Sequence, residues 1–153
     1  MELAVKTLNA GRLAEAYPLI RTATRVSQER WEEFGRELLE GGGGVLAVTA
    51  ADKCLHGVAA YRPSRNLRHE QSLEVEVIVA FDLHGDDRVR TALCRELDRI
   101  AAKLHCSAVN FTVAAKSAEP RSRARSGLER LGLKLDTATF VRELHAEAGQ
   151  SRK

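Results

Sequence analysis

VIVAFDLHGDDRVRTALCREL, residues 77–97, decides the fold. Its first residues, Val77 to Phe81, are apolar without interruption, the pattern of a central strand buried on both faces. A short connection holding Gly85 follows. Beyond it Val89, Leu93, Leu97, Ile100 and Leu104 recur in steps of three and four, the stripe of an amphipathic helix starting near Asp87. Many α/β proteins hold an anion at such a junction, on loop amides and the N-terminus of the helix. Here the turn carries Asp86 and Asp87, two negative charges where an anion would sit.

Just upstream, SLEVEV (72–77) alternates before the run turns wholly apolar. In a regular strand Glu74 and Glu76 share a face with Ile78 and Ala80, while Leu73, Val75, Val77 and Val79 face the other way. Two neighbouring carboxylates on a central strand suit a general base, because repulsion and burial favour the protonated form of one of them. The alternative is that both lie at the solvated start of the strand. Before them, VLAVTAAD (45–52) and CLHGVAAYRPS (54–64) read as a hairpin turning at Asp52 and Lys53, followed by a polar connection, RNLRHEQ (65–71).

The N-terminal third supplies a short strand, MELAVKTLN (1–9), and a helical segment through residues 11–26 that Pro18 bends or splits. Ser27 caps a second helix, QERWEEFGRELLE (28–40), with Trp31, Phe34 and Leu38 as its stripe. GGGG (41–44) ends it. A phosphate-cradling loop needs the opposite order, strand before glycines and helix after, so the run reads as a helix stop. Downstream, SAVNFTVAA (107–115) is another buried strand, EPRSRARSGLERLGL (119–133) a charged helix closed by Gly132, and LDTATFVREL (135–144) a final strand or small hairpin.

The order is β-α-α-β-β-β-α-β-α-β. Residues 73–81 and 107–114 become neighbouring parallel strands, because one long helix joins them. The strands before them form an antiparallel meander. The predicted fold is a mixed α/β (α+β) sheet with helices on both faces, in a single domain over 1–145 with a flexible tail at 146–153.

Composition narrows the function. The chain has 153 residues, 44% apolar and 29% charged, and a net charge of +3, an ordinary balance for a soluble domain. Nucleic acid is not expected as a partner: the sequence pI is about 8.9 and Lys116, Arg121, Arg123, Arg125 and Arg130 form one cluster without aromatics. Three cysteines, no CxxC pair and no signal-peptide pattern favour a reducing cytoplasm, and no run is long enough for a membrane span. The histidines lack ligand spacing, so no metal site is expected. Arg88 and Arg90 oppose the helix dipole in the first turn; a bound phosphate or pairing with Asp86 or Asp87 explains them equally well.

The order of elements resembles the GNAT superfamily of acetyl-CoA-dependent N-acetyltransferases over roughly residues 2–144. The most characteristic segment of that family is a strand ending in Val, a loop of the form Arg/Gln-x-x-Gly-x-Gly/Ala and a long helix. Val79 stands at the strand's Val, Phe81 replaces a frequent Pro, His84 takes the Arg/Gln place, and Gly85 matches. Asp87 stands where the next Gly is expected, and Val89 replaces the last Gly or Ala, crowding the helix start. A second signature, Asn-x-x-Ala-x-x-x-Tyr followed by Leu-Gly-Phe, is matched by Ala124 and by LGL at 131–133. Arg121 stands for its Asn and Leu128 for the Tyr that often protonates the departing thiolate.

The resemblance implies a co-substrate, acetyl-CoA. Its pantetheine arm would pair with the strand at Ile78 and Val79. Its phosphates would lie at His84, Gly85, Asp86, Asp87, Arg88 and Val89, with Arg121 as a further contact. Lost glycines and added carboxylates imply weak binding; His84 either contacts phosphate or caps the loop. Glu76, nearer the carboxyl end of the strand, is implied as the base, with Glu74 second. The acceptor would be a primary amine of a small molecule or peptide, and a homodimer is compatible with this reading. The alternative is a non-catalytic acyl-CoA-binding or protein-interaction module on the same fold.

Overall fold

Five strands line up in the order β1-β2-β3-β4-β5: Ala4–Leu8, Gly44–Thr49, Leu55–Ser64, Ser72–Ala80 and Ala108–Phe111. A computed structural model describes residues 2–82 and 85–144 of the chain. The expected tail at 146–153 lies outside the described residues. The first four strands form an antiparallel meander, and β4 pairs with β5 in parallel, as the intervening long helix requires.

A 3-10 helix, Ala10–Ala16, leads into α1, Tyr17–Ala23, with Pro18 in its first turn, where the missing N–H costs nothing. Helix α2, Gln28–Glu40, starts on Ser27, whose Oγ accepts the Arg30 amide at 3.1 Å. It stops where Gly42 takes φ 87° and the Gly43 amide bonds back to Leu38 at 2.8 Å. Helix α3, Arg88–Lys103, connects β4 to β5.

The helices cover both faces of the sheet. On one, Leu13, Ile20, Trp31 and Leu38 pack on Leu8, Val45, Ala47, Val58, Ala60 and Val79. On the other, Val89, Leu93, Leu97 and Ala101 of α3 pack on Leu46, Val48, Ala59, Leu73 and Val75. Each fully buried leucine contributes about 1.5–3 kcal/mol. The buried indole of Trp31 donates to the Leu13 carbonyl at 2.8 Å, so the core holds it without an orphaned donor.

The chain divides into two compact units, Met1–Val113 and Ala114–Lys153. The first carries the sheet and α1 to α3. The second contains a 3-10 turn, Ala115–Ala118, and α4, Arg123–Arg130, whose Ser122 cap accepts the Ala124 and Arg125 amides at 3.1 and 3.3 Å. The strand or hairpin expected over 135–144 does not form. Leu135, Phe140, Val141 and Leu144 are exposed, and among the described residues of this unit there is no strand to supply a ladder. An apolar, β-branched pattern makes a strand only where a partner edge is within reach.

Candidate active site

Strand β4 does not keep the alternation of its sequence. Opposite β3, Val75 pairs with Tyr61 and Val77 with Ala60, so Glu76 is left over as a bulge. The extra residue turns the strand over. Leu73 and Val75 face α3 before the bulge and Ile78 and Ala80 face it afterwards, while Val77 and Val79 join the α1/α2 core. The single face expected for Glu74, Glu76, Ile78 and Ala80 is therefore corrected.

Each carboxylate has its own donors. Glu76 Oε2 accepts from Arg62 Nε at 2.5 Å. Glu74 Oε2 accepts from Ser72 Oγ and from Asn110 Nδ2, both at 2.8 Å, which ties β4 to β5. Glu74 is thus built into a polar cross-strand link, whereas Glu76 lines a pocket of about 230 Å³. The other walls of that pocket are Ile20 of α1, Thr24 and Val26 after it, Arg30, Trp31 and Phe34 of α2, and Val77. None of those wall residues before β4 is legible as a site in the sequence: Ile20, Trp31 and Phe34 read as core stripe, and Thr24, Val26 and Arg30 carry no site pattern.

Past the bulge, β4 loses its second neighbour. Its ladder with β5 runs from Ser72 to Val75, with one more bond from the Thr112 amide to the Val75 carbonyl at 3.2 Å. From Glu76 to Ala80, Ile78 and Val79 included, β4 has no ladder partner on that side among the described residues. The edge leads directly to the loop before α3.

In that loop Gly85 has φ 67° and Asp87, the residue before the helix, φ 58°. The first helical amides are occupied by the chain itself. Asp82 Oδ1 accepts the Val89 amide at 2.6 Å, and Asp86 Oδ1 accepts the Arg88 amide at 3.2 Å. Arg90 Nη1 lies 3.5 Å from Asp87 Oδ1, so for Arg90 the pairing explanation is realised. Asp82 escaped the sequence reading because it caps an amide seven residues onward, beyond the usual capping distance. Val89 does not crowd the loop. Its side chain is buried against β3, where Gly57 leaves the room: a Cβ on Gly57 would sit 2.5 Å from Val89 Cγ1. His84 lies outside the described residues. Arg121 is exposed in the turn before α4, and Leu128 is half-buried in α4.

Cys54, Cys94 and Cys106 are free thiols, and burial pushes the Cys94 thiol up to about 11. Among the described residues no group of His, Cys, Asp and Glu could hold a metal ion, and no helix is long and apolar enough to cross a membrane.

The fold recurs in solved structures. An aminoglycoside 6'-N-acetyltransferase from Acinetobacter baumannii, AAC(6')-Ih, superposes with a TM-score of 0.77 at 10% identity, over 94% of this chain and 100% of its own. The chain has the GNAT N-acetyltransferase fold. Glucosamine-6-phosphate N-acetyltransferase from Arabidopsis thaliana shares the fold at 8% identity and a TM-score of 0.72, over 95% and 100% of the two chains. Aminoglycoside N-acetyltransferase AAC(6')-Iy, in complex with CoA, shares it at 13% and 0.77, over 93% and 95%. No family model matches the chain, and no curated protein matches it in sequence. Within the GNAT fold, the bulged β4, its open edge and the loop into α3 form the candidate active site.

Proposed function

We propose that this protein is an N-acetyltransferase that moves an acetyl group from acetyl-CoA to a primary amine of a small molecule or peptide. The observation that carries the reading is Glu76, lifted out of the β-ladder by the bulge and placed in a pocket beside the open edge of β4. From Glu76 to Ala80 the edge of β4 that faces away from β3, without a ladder partner among the described residues, fits an extended amide-bearing arm, which can pair with it as an added strand does. The loop fits the phosphates less well. Its Arg88 and Val89 amides already hold carboxylates, so an incoming anion must displace Asp86 and Asp82, and binding is weak. Arg121 stays in this reading only as the contact that the resemblance implies. The domain is taken to run to residue 145, supported by structural likeness over 94% of the chain, and the free thiols support a cytoplasmic setting.

When bound, acetyl-CoA supplies a thioester acetyl: its C–S bond breaks as the C–N bond to the amine forms, and CoA leaves as the thiol. Glu76 orients the protonated amine and takes its proton, directly or through water. Arg62 fixes the carboxylate in place, and Glu74 braces the start of the strand through Asn110. Leu128, at the position the resemblance gives to a tyrosine, carries no proton donor.

The filled loop amides favour a second reading, a GNAT-fold module that binds acyl-CoA without catalysis. The two separate in one experiment: thermal shift with acetyl-CoA, then acetyl transfer to a panel of primary amines. A raised Tm with transfer that falls about 10²–10⁴-fold in Glu76→Gln supports the enzyme. The loss should be largest from low to neutral pH, where deprotonation of the amine limits the rate. A raised Tm without transfer supports the module, and equal damage from Glu74→Gln removes Glu76 as the base.

A further inference from the structure

The pocket at Glu76 also carries information about what enters it. Pockets for drug-sized ligands run to about 300–1,000 Å³. At about 230 Å³ this one takes a compact molecule. Its walls are mainly apolar, from Ile20, Val26, Phe34 and Val77, so the body of the ligand is apolar too. Two charged residues line it, Glu76 and Arg30. The Glu76 charge is answered by Arg62 at 2.5 Å, whereas Arg30 makes no ion pair among the described residues. The uncompensated charge at the pocket is therefore positive.

A polyamine with several ammonium groups finds there one carboxylate already shared with a guanidinium, and an opposing cation. Burying its other charges without partners is unfavourable. An amine that also carries a carboxylate matches both ends, the ammonium at Glu76 and the anion at Arg30.

Building on the acetyltransferase reading, we propose that the acceptor is a compact apolar amino-carboxylate, an amine and a carboxylate on one small hydrophobic body, and not a polycationic amine. The planar fork of Arg30 suits a carboxylate, and the Phe34 ring suits an aliphatic or aromatic body.

Calorimetric titration without any cofactor tests this apart from catalysis. The probes are L-phenylalanine, 4-(aminomethyl)benzoate, benzylamine and a three-ring aminoglycoside, against wild type and Arg30→Gln. At least one amino-carboxylate should bind about tenfold or more tighter than benzylamine, and Arg30→Gln should abolish that margin while leaving benzylamine unchanged. The aminoglycoside should not compete. Arg30 is exposed, so its replacement leaves the core intact. Equal binding of benzylamine, tighter binding of the aminoglycoside, no binding of either amino-carboxylate, or indifference to Arg30→Gln overturns the assignment. Binding as expected with no acetyl transfer keeps the ligand class and sinks the enzyme reading. Transfer to other amines without this preference does the reverse.

Discussion

Asp82 and Asp86 hold the amides that an acyl-CoA pyrophosphate would need, and Asp87 stands beside them in a left-handed conformation. Each carboxylate within several ångströms of a pyrophosphate opposes it by on the order of 1 kcal/mol at surface-like dielectric, less with salt. Asp87 has φ 58°, which glycine adopts without strain, so Asp87→Gly removes a charge and relaxes the backbone together. The double variant Asp86→Ser, Asp87→Gly should bind acetyl-CoA several-fold more tightly than wild type in a titration at low salt. The gap should shrink at physiological salt. Weaker binding by the variant would mean that these aspartates organise the loop instead of guarding it. The charges themselves were plain in the sequence. Asp82 was not, since its partner is set by how the chain turns after β4.

At the scale of elements, the start of α3 is positioned by the sheet beneath it. Gly57 of β3 admits Val89, and an added Cβ would meet Val89 Cγ1 at 2.5 Å and Leu93 Cδ1 at 3.2 Å. Gly57→Ala should cost about 1–3 kcal/mol in denaturant unfolding and lower acetyl-CoA affinity, because the helix start and loop must lift together. Unchanged unfolding would show that α3 slides without resistance. Most elements were legible because each carries its own punctuation: Ser27 before α2, the glycine run after it, Asp52 and Lys53 between β2 and β3. Two features were not. The bulge at Glu76 is invisible to a period-two reading, since VIVA is apolar on either phase. The failed strand at 135–144 has the right residues, and among the described residues of its own unit there is no strand for it to pair with.

At the scale of the whole molecule, two groups outside the pocket make stability depend on pH. At the β2–β3 turn, the Cys54 amide and then His56 hold Asp52 below the ordinary 3.8. A lowered carboxylate stabilises the fold above its unfolded value, and that contribution is lost as pH falls through the folded one. Cys94 limits the other side. Burial raises it from 9.0 to about 11, so its contribution is complete below pH 9 and is lost as pH rises from there toward 11. Thermal melts across pH should show Tm falling at both ends. Cys94→Ala should flatten the alkaline limb and Asp52→Asn the acid one; limbs that do not respond would place the limiting groups elsewhere. The architecture of the sheet and its two cores was readable from the order of patterned segments. The pocket was not, because its apolar walls, Ile20, Trp31, Phe34 and Val77, look like ordinary packing.

The bulge at Glu76 also bears on how such a chain can change over generations. A residue that belongs to neither ladder contributes little to holding the sheet together, and an ion pair as exposed as that with Arg62 contributes about 0–1 kcal/mol. On the role proposed for Glu76, folding and reactivity are thereby uncoupled at one position. Lineages can exchange the carboxylate for another group, or abandon it, while the scaffold survives purifying selection on stability. On that proposed role, a descendant that still folds but no longer reacts lies one codon change from this sequence, and recovery would be a second change at the same position.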